Sequence, residues 1–303
     1  MAQAFSRILL AFDDSAGSRT ALEYACALAQ AGATLTVAHA VKQNNFVTSA
    51  VAAGFFPPVD PTSMIAAADE QDDSVLGAAI AACAAHGILA EKVFVHDLPA
   101  GIMAVARRTN ADVIVVGTHG RTGVARTLLG SVAESILRAS DVPVLVVSQH
   151  VAPPQRDAIL QRALVAIDDS DPSEAALALA AHLSKCHGTR LTLCSVMAAP
   201  ASGAKSVETV SSNSAFGAAR SFLLEDAEVT EEIASFVDTE MIVKGDPPDA
   251  IEKIAQQRAC DVIIVGTHGR HGVRRALEGS VAENLARTST VPVLVATVRH
   301  AAR

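Results

Sequence analysis

Aromatic residues are scarce in this chain: it contains no tryptophan, one tyrosine and nine phenylalanines among 303 residues. Charged residues make up only 18%, and the formal net charge is −8. Nucleic acid is therefore not expected as the main partner, because phosphate backbones select lysine and arginine and single strands also select stacking rings. Half of the residues are hydrophobic, which excludes a largely disordered chain.

Long hydrophobic runs and cysteine motifs are missing as well. No uninterrupted apolar run approaches the roughly 20 residues that a membrane-spanning helix needs. Residues 1–7 (MAQAFSR) lack the charged region and apolar core of a signal peptide. The five cysteines show no CxxC spacing, so we interpret them as reduced, mostly buried residues rather than as a zinc site. These absences predict a cytoplasmic protein with no membrane partner and no metal held by its side chains.

The chain does contain a long internal repeat. Residues 113–119 (VIVVGTH) recur as VIIVGTH 149 residues later, and so do the blocks GSVAE and VPVLV that follow them. The block ILLAFDDS at residues 8–15 corresponds to ALVAIDDS at residues 163–170, which lies 155 residues further on. The sequence therefore predicts a tandem duplication, and 303 residues are enough for each copy to bury a core of its own.

The predicted domains are residues 1–150 and residues 151–303, and each carries a net charge of −4. In the first domain, β-branched runs alternate with alanine- and leucine-rich stretches of helical spacing; the runs are 8–12, 34–38, 93–95, 113–116 and 144–147, and the stretches are 18–31, 64–86 and 101–109. Apolar strands between helices are typical of a parallel sheet covered on both faces. Each domain is thus predicted to be an open α/β sandwich of about five strands, with loops over residues 43–61 and 198–213.

A glycine motif of fixed spacing, Gly-x2-Gly-x9-Gly-Ser, follows the fourth predicted strand of each domain. Its members are Gly117, Gly120, Gly130 and Ser131 in the first copy and Gly266, Gly269, Gly279 and Ser280 in the second. Glycines let a backbone approach a ligand closely and adopt positive φ. A Gly-Ser pair at a helix start also offers free N–H groups at the positive end of the helix dipole. The motif favours a polyphosphate site, whereas P-loop and Rossmann dinucleotide motifs are absent from the sequence.

Structural interpretations of the same residues stay open. Asp13 and Asp168 end the first predicted strand of each domain, where open α/β sheets bind ligands. These carboxylates, or the Asp and Ser residues beside them, could instead cap the helix that follows. The SVAE blocks at residues 131–134 and 280–283 likewise fit a helix capping box, in which case the glycines would only form a turn.

Three histidines are also open to interpretation. His119 and His268 lie inside the two glycine loops, where they would either add charge complementarity to a phosphate or face solvent. His39 lies within a predicted strand and is interpreted as a hydrogen-bonded core histidine rather than a ligand.

The glycine motifs, the Asp-terminated first strands and the VPVLV strands resemble the universal stress protein family over nearly the whole chain. The spacing G-x2-G-x9-G-[S/T] marks the ATP-binding branch of that family, and both copies are complete here. The resemblance implies a five-stranded parallel sheet of order 3-2-1-4-5 in each domain. It also implies that the two halves pair through their last strands, residues 144–147 and 293–296, and that two chains form a homodimer.

The resemblance implies an adenine nucleotide, ATP or a related one, bound with Mg²⁺ in each domain. The residues implied in the first domain are Asp13, Ala40, Gly117, His119, Gly120, Gly130, Ser131 and Val132. Those implied in the second are Asp168, Val196, Gly266, His268, Gly269, Gly279, Ser280 and Val281. The function implied is a stress-response protein that senses or holds nucleotide.

Catalysis is not expected beyond slow ATP hydrolysis, because no residue stands out in the sequence as a base for water attack. Two alternatives remain. In the first, the motifs only shape turns and the protein is a scaffold that acts through protein–protein contacts. In the second, it is a true ATPase or phosphotransferase.

Overall fold

A computed structural model describes residues 4–30, 32–41, 61–96, 98–118, 129–155, 159–168, 171–198, 208–210, 233–266 and 281–297. The elements of the first half are β1 (Arg7–Phe12), α1 (Ala16–Ala29), β2 (Thr34–Ala40), α2 (Pro61–Ala85), β3 (Ala90–Val95), α3 (Ala100–Thr109), β4 (Val113–Gly117), α4 (Ser131–Ala139) and β5 (Val144–Val147). Those of the second half are β6 (Arg162–Ala166), α5 (Asp171–His187), β7 (Arg190–Ala198), β8 (Glu208–Val210), β9 (Val237–Gly245), α6 (Pro247–Gln257), β10 (Val262–Gly266), α7 (Val281–Thr288) and β11 (Val293–Ala296).

The first half has the strand order β3-β2-β1-β4-β5, and all neighbouring strands in it are parallel. This confirms the predicted α/β fold and its order 3-2-1-4-5. The buried strands match the β-branched runs to within two residues, except that β3 starts at Ala90, three residues earlier than predicted. Its early residues are half-buried or exposed, so they carry little of the apolar signal on which the prediction depended.

The second half repeats this order as β9-β7-β6-β10-β11 and adds one strand. The short β8 pairs antiparallel with β9, with Thr209 opposite Val243. The prediction of five strands and of a loop over residues 198–213 was therefore wrong at residues 208–210. The nine-residue β9 would otherwise present a row of unpaired backbone groups at the sheet edge, which β8 covers in part.

The sheets of the two halves are continuous. Strands β5 and β11 pair antiparallel, with Leu145 opposite Leu294, so the described strands form one eleven-stranded sheet. The two strands are almost completely buried, as their valine- and leucine-rich sequences require.

Helices cover both faces of this sheet, and side chains alternate between two apolar layers. Leu10, Val115 and Val165 face the layer under α1, α2 and α5. Leu9 and Ile114 face the layer under α3, α4, α6 and α7. This alternation is what a strand period of two residues requires of a sheet that is buried on both sides.

The cysteines are free thiols in these layers, as the sequence indicated. Cys26, Cys83, Cys194 and Cys260 are buried, and Cys186 is half-buried. Burial raises the pKa of the Cys194 thiol to about 12 and, together with the charge of the neighbouring Asp261, that of Cys260 to about 11. Within the ranges that the structure describes, no helix is both long and apolar enough to span a membrane.

Candidate functional site

The carboxyl ends of β1, β2 and β4 meet at one edge of the first-half sheet. Asp13 directly follows β1, Ala40 ends β2 and Gly117 ends β4. Strands β2 and β3 lie on one side of β1, and strands β4 and β5 lie on the other. The gap between β1 and β4 is therefore the switch point of the sheet, where open α/β sheets bind their ligands.

The second half has the same arrangement. Asp168 follows β6 by two residues, Gly266 ends β10 and Val281 begins α7. The strand registers place Ala40 of β2 and Val196 of β7 at equivalent positions, each five residues after the leucine that pairs with β1 or β6. The described members of both predicted residue sets thus lie on corresponding elements.

The first glycine of each motif is required by packing between a strand end and a helix start. A Cβ at Gly117 would lie 2.5 Å from the carbonyl carbon of Gly17 and 2.6 Å from the backbone nitrogen of Ser18. A Cβ at Gly266 would collide in the same way with the backbone of Pro172, at the start of α5. Close contact within the protein therefore accounts for these two glycines without any ligand.

The third glycine of the first motif begins α4. Gly130 has φ −57° and ψ 138°, so its backbone does not need glycine's left-handed freedom. Its N–H donates a 2.6 Å hydrogen bond to the carbonyl of Thr118, which closes the loop onto the end of β4. Ser131 and Val132 then supply the first turn of α4, whose N–H groups have no intrahelical acceptor.

The capping-box interpretation was wrong for the first half. Gly130, not Ser131, is the N-cap of α4, and a glycine has no side chain with which to cap the helix. The Glu134 carboxylate instead accepts a 2.5 Å hydrogen bond from Arg138, one turn further along the helix. The predicted Ser131–Glu134 capping box is therefore not formed.

The helix-capping alternative is correct in the first half for Ser15, which caps α1, but not for Asp13. Ser15 is the N-cap of α1, and its Oγ accepts from the backbone N–H of Ser18 at 3.2 Å. Asp14 binds Arg19 through both carboxylate oxygens, at 2.8 and 3.0 Å. Asp13 accepts one 3.1 Å hydrogen bond from the N–H of Ser15 and stays half-buried at the sheet edge.

Asp168 has a different environment in the second half. The hydroxyl of Ser173 donates a 2.6 Å hydrogen bond to its Oδ1, and the backbone N–H of Asp168 donates to the same hydroxyl at 2.9 Å. The corresponding Ser18 hydroxyl donates to the carbonyl of Ser15 at 3.1 Å. Sequence reasoning missed both serines, although each stands five residues after its aspartate in the repeat.

His39 is a core histidine, as expected. Its Nδ1 lies 2.7 Å from the carbonyl oxygen of Phe12, and its Nε2 lies 3.1 Å from Oδ1 of Asp72 on α2. Both side chains are buried. Sequence reasoning missed Asp72, because a charged residue among the apolar positions of α2 was the only available signal.

Six of the predicted site residues lie outside the described residues: His119, Gly120, His268, Gly269, Gly279 and Ser280. Among the residues that are described, no group of three or more His, Cys, Asp or Glu side chains could hold a metal ion. A Mg²⁺ ion that accompanied a nucleotide would take most of its ligands from phosphates and water, so this finding is compatible with it.

Comparisons with known proteins match both halves of the chain. The sequence model of the universal stress protein family matches residues 4–148 and again residues 160–297. A universal stress protein of Mycobacterium tuberculosis (strain ATCC 25618 / H37Rv) is 30% identical over 220 residues, which cover 69% of this chain and 68% of the relative. One from Bacillus subtilis (strain 168) is 30% identical over 146 residues, which cover 47% of this chain and 99% of that protein.

A solved structure has the same fold. The crystal structure of a universal stress protein from Archaeoglobus fulgidus DSM 4304 superposes with a TM-score of 0.68 at 24% identity, and the match covers 97% of each chain. The family match over both halves, together with the repeated strand order, shows that this chain belongs to the universal stress protein family as a tandem of two such domains.

Proposed function

We propose that this protein binds ATP or a related adenine nucleotide, with one site in each half, and that it senses or holds the nucleotide in a stress response. The observation that carries the proposal is the repeated geometry at the switch point. In both halves an aspartate, a glycine strand end and a helix start come to the same edge of the sheet. The glycine motif connects the last two over the same number of residues in each copy.

Each part of the site has a proposed role. The Asp13 carboxylate would accept hydrogen bonds from the nucleoside, and the backbone at Ala40 would lie beside the base. The first turn of α4, at Ser131 and Val132, would hold phosphate oxygens through its N–H groups and the helix dipole. Gly120 and His119 would complete the phosphate contacts from the loop between them.

The second site would use the equivalent residues. They are Asp168, Val196, Gly266, His268, Gly269, Gly279, Ser280 and Val281. In both sites Mg²⁺ would be bound mainly by the phosphates. We propose binding with at most slow hydrolysis, because neither motif supplies a base for water attack.

We also propose a cytoplasmic protein in which the two halves act as a pair. The β5–β11 contact uses the last-strand edge of both halves within one chain. A homodimer of chains would therefore form through another surface, and sedimentation velocity would measure whether it exists.

Analysis of the released ligand tests the proposal most directly. Protein purified without added nucleotide is denatured, and the small molecules set free are identified by mass spectrometry. Calorimetric titration of ligand-free protein with ATP and with AMP, each with Mg²⁺, then gives affinity and stoichiometry. We expect adenine nucleotide in the released fraction and saturable binding at up to two sites per chain. The absence of released nucleotide, together with the absence of binding heat, would refute the proposal.

Variants locate the binding within the chain. Gly120→Val and Gly269→Val place a branched side chain in one loop each, and each should abolish one of the two sites. Gly77→Ala is the matched control, since Gly77 is exposed on α2 and a Cβ there meets nothing within 4 Å. It should bind nucleotide as the unmodified chain does.

A scaffold that acts through protein–protein contacts stays as a second candidate function, because Gly117 and Gly266 are explained without a nucleotide. Backbone contacts with the neighbouring helix start already require these glycines, so part of each motif has a structural reason. Under this alternative the Gly120→Val and Gly269→Val proteins fold and keep their biological function. Complementation of a deletion strain under stress would distinguish the two candidates.

A further inference from the structure

The two proposed sites differ at a serine that stands at the same place in both repeats. In the second half, the Ser173 hydroxyl donates a hydrogen bond to Oδ1 of Asp168, with 2.6 Å between the two oxygens. In the first half, the Ser18 hydroxyl donates to the carbonyl of Ser15 at 3.1 Å. The carboxylate of Asp168 is thus engaged by an internal hydroxyl, whereas that of Asp13 is not.

The two aspartates also differ in burial, and this adds to the difference between their carboxylates. Asp13 is half-buried, and no second hydrogen bond to its carboxylate comes from the described part of the chain beyond the one from Ser15. Asp168 is exposed to solvent. A hydrogen bond to a partly desolvated carboxylate is stronger than one to a carboxylate that water already solvates. A nucleotide donor therefore gains more at Asp13 than at Asp168.

We propose that the two sites are not equivalent: the first half holds the nucleotide more tightly, and Ser173 lowers the affinity of the second half by competing for Asp168. This inference rests on the proposed nucleotide function. A ligand hydroxyl or amino group that binds Oδ1 of Asp168 either displaces the Ser173 hydroxyl or shares that oxygen with it. In both cases the ligand gains less than at a carboxylate that accepts no hydrogen bond from an internal hydroxyl.

The test compares chains that each retain one site. Gly269→Val leaves the first site and Gly120→Val leaves the second, so Asp13, Asp168 and both serines stay unchanged. Titration with Mg²⁺-ATP should give a dissociation constant roughly three- to tenfold lower for the first site, which is the ratio that one exchanged hydrogen bond corresponds to. Equal affinities, or a tighter second site, would overturn the inference while leaving the proposed function intact.

Substitution of the serines assigns the cause. In the Gly120→Val chain, Ser173→Ala removes the hydroxyl that competes for Oδ1 of Asp168 and should tighten ATP binding by roughly the same three- to tenfold factor. In the Gly269→Val chain, the matched Ser18→Ala should not tighten it, because Ser18 does not donate to Asp13. Thermal denaturation checks that each variant folds. If Ser173→Ala folds without tightening binding, Ser173 has no competing role, and if the unmodified chain binds no nucleotide, the proposed function itself fails.

Discussion

Gly117, at the end of β4, lies against the backbone of Gly17, at the start of α1, so closely that a Cβ at Gly117 would stand 2.5 Å from the carbonyl carbon of Gly17. The repeat forms the same contact between Gly266 and Pro172. A helix start is thereby packed directly onto the strand end beside the proposed phosphate loop. Packing at this contact therefore affects both the stability of each half and the geometry of its proposed site.

Gly117→Ala should lower the free energy of unfolding by about 1–3 kcal/mol, because the added methyl group has no space and the helix start must shift. Gly266→Ala should do the same in the second half. The control is Gly77→Ala on α2, where the new methyl group is exposed and alanine favours the helix by about 0.5–1 kcal/mol. Urea denaturation followed by circular dichroism measures all three, and an unchanged midpoint for Gly117→Ala would contradict the close contact.

A hydrogen bond across the β5–β11 contact should contribute to stability. The Ser148 hydroxyl donates to the carbonyl oxygen of Ser289 at 2.5 Å, and both groups are buried. Ser148→Ala should lower the free energy of unfolding by about 1 kcal/mol, because the carbonyl loses its partner.

Its control is the equivalent residue of the second half. Thr297 stands 149 residues after Ser148, and among the described residues its buried Oγ1 has no hydrogen-bond partner. Thr297→Val keeps the shape and removes the unsatisfied oxygen, so stability should be unchanged or should rise. A loss of stability in Thr297→Val, with none in Ser148→Ala, would contradict the assigned contacts. Thermal denaturation of the two variants gives the comparison.

The buried carboxylate of Asp261 should make stability depend on pH. Its Oδ2 accepts backbone hydrogen bonds from Gln161 and Arg162, at 2.8 and 3.1 Å, while its buried Oδ1 has no partner in the part of the chain that the structure describes. Burial raises the pKa of Asp261 to about 6, above the value of about 3.9 for an unfolded chain. The folded state therefore holds a proton more readily than the unfolded state, and this contribution to stability is complete below about pH 4 and is lost as the pH rises through about 6.

Asp261→Asn should accordingly raise the free energy of unfolding at pH 8, by on the order of 2 kcal/mol, with little effect at pH 4. The amide oxygen can keep both backbone hydrogen bonds and carries no charge. Asp112 is the matched control, because it occupies the same place in the first half but pairs with Arg7 at 2.8 Å near the surface. Asp112→Asn should be neutral or destabilising by less than about 1 kcal/mol at pH 8. Denaturant titrations at the two pH values test this, and equal effects of Asp261→Asn at both would contradict it.

The contact between His39 and Asp72 requires a proton between them. Nδ1 of His39 must donate to the Phe12 carbonyl, which can only accept, so Nε2 faces the Asp72 carboxylate and one of the two must carry a proton. In Asp72→Asn the amide N–H can donate to a neutral Nε2, so stability should stay within about 1 kcal/mol. Asp72→Ala leaves a buried ring nitrogen without a partner and should cost about 1–3 kcal/mol. Equal losses in the two variants would show that the hydrogen bond contributes nothing.

The parallel α/β fold of each half followed from the sequence because two kinds of signal agree there, whereas the strand order was implied by the family resemblance. The β-branched runs at β1, β4 and β5 are apolar throughout, which only a sheet buried on both faces requires, and the repeat shows the same pattern twice. These signals are weaker at the edges of the described sheet. The start of β3 and the whole of β8 were missed because edge strands carry few apolar residues, and only their pairing with β2 and β9 defines them.

By itself, the sequence determined the duplication, the parallel α/β fold and the aspartates and glycines that follow or end the strands at the switch point (Asp13, Gly117, Asp168 and Gly266), because spacing and apolar periodicity are local properties of the chain. Only the tertiary structure decided what those residues contact. It showed that Gly117 packs against the start of α1 and that Ser15 is the N-cap of that helix. It also showed that a serine hydroxyl donates to the carboxylate of Asp168 but not to that of Asp13. Identical motifs therefore differ in environment, because hydrogen bonds and close contacts depend on atoms brought together from distant parts of the chain.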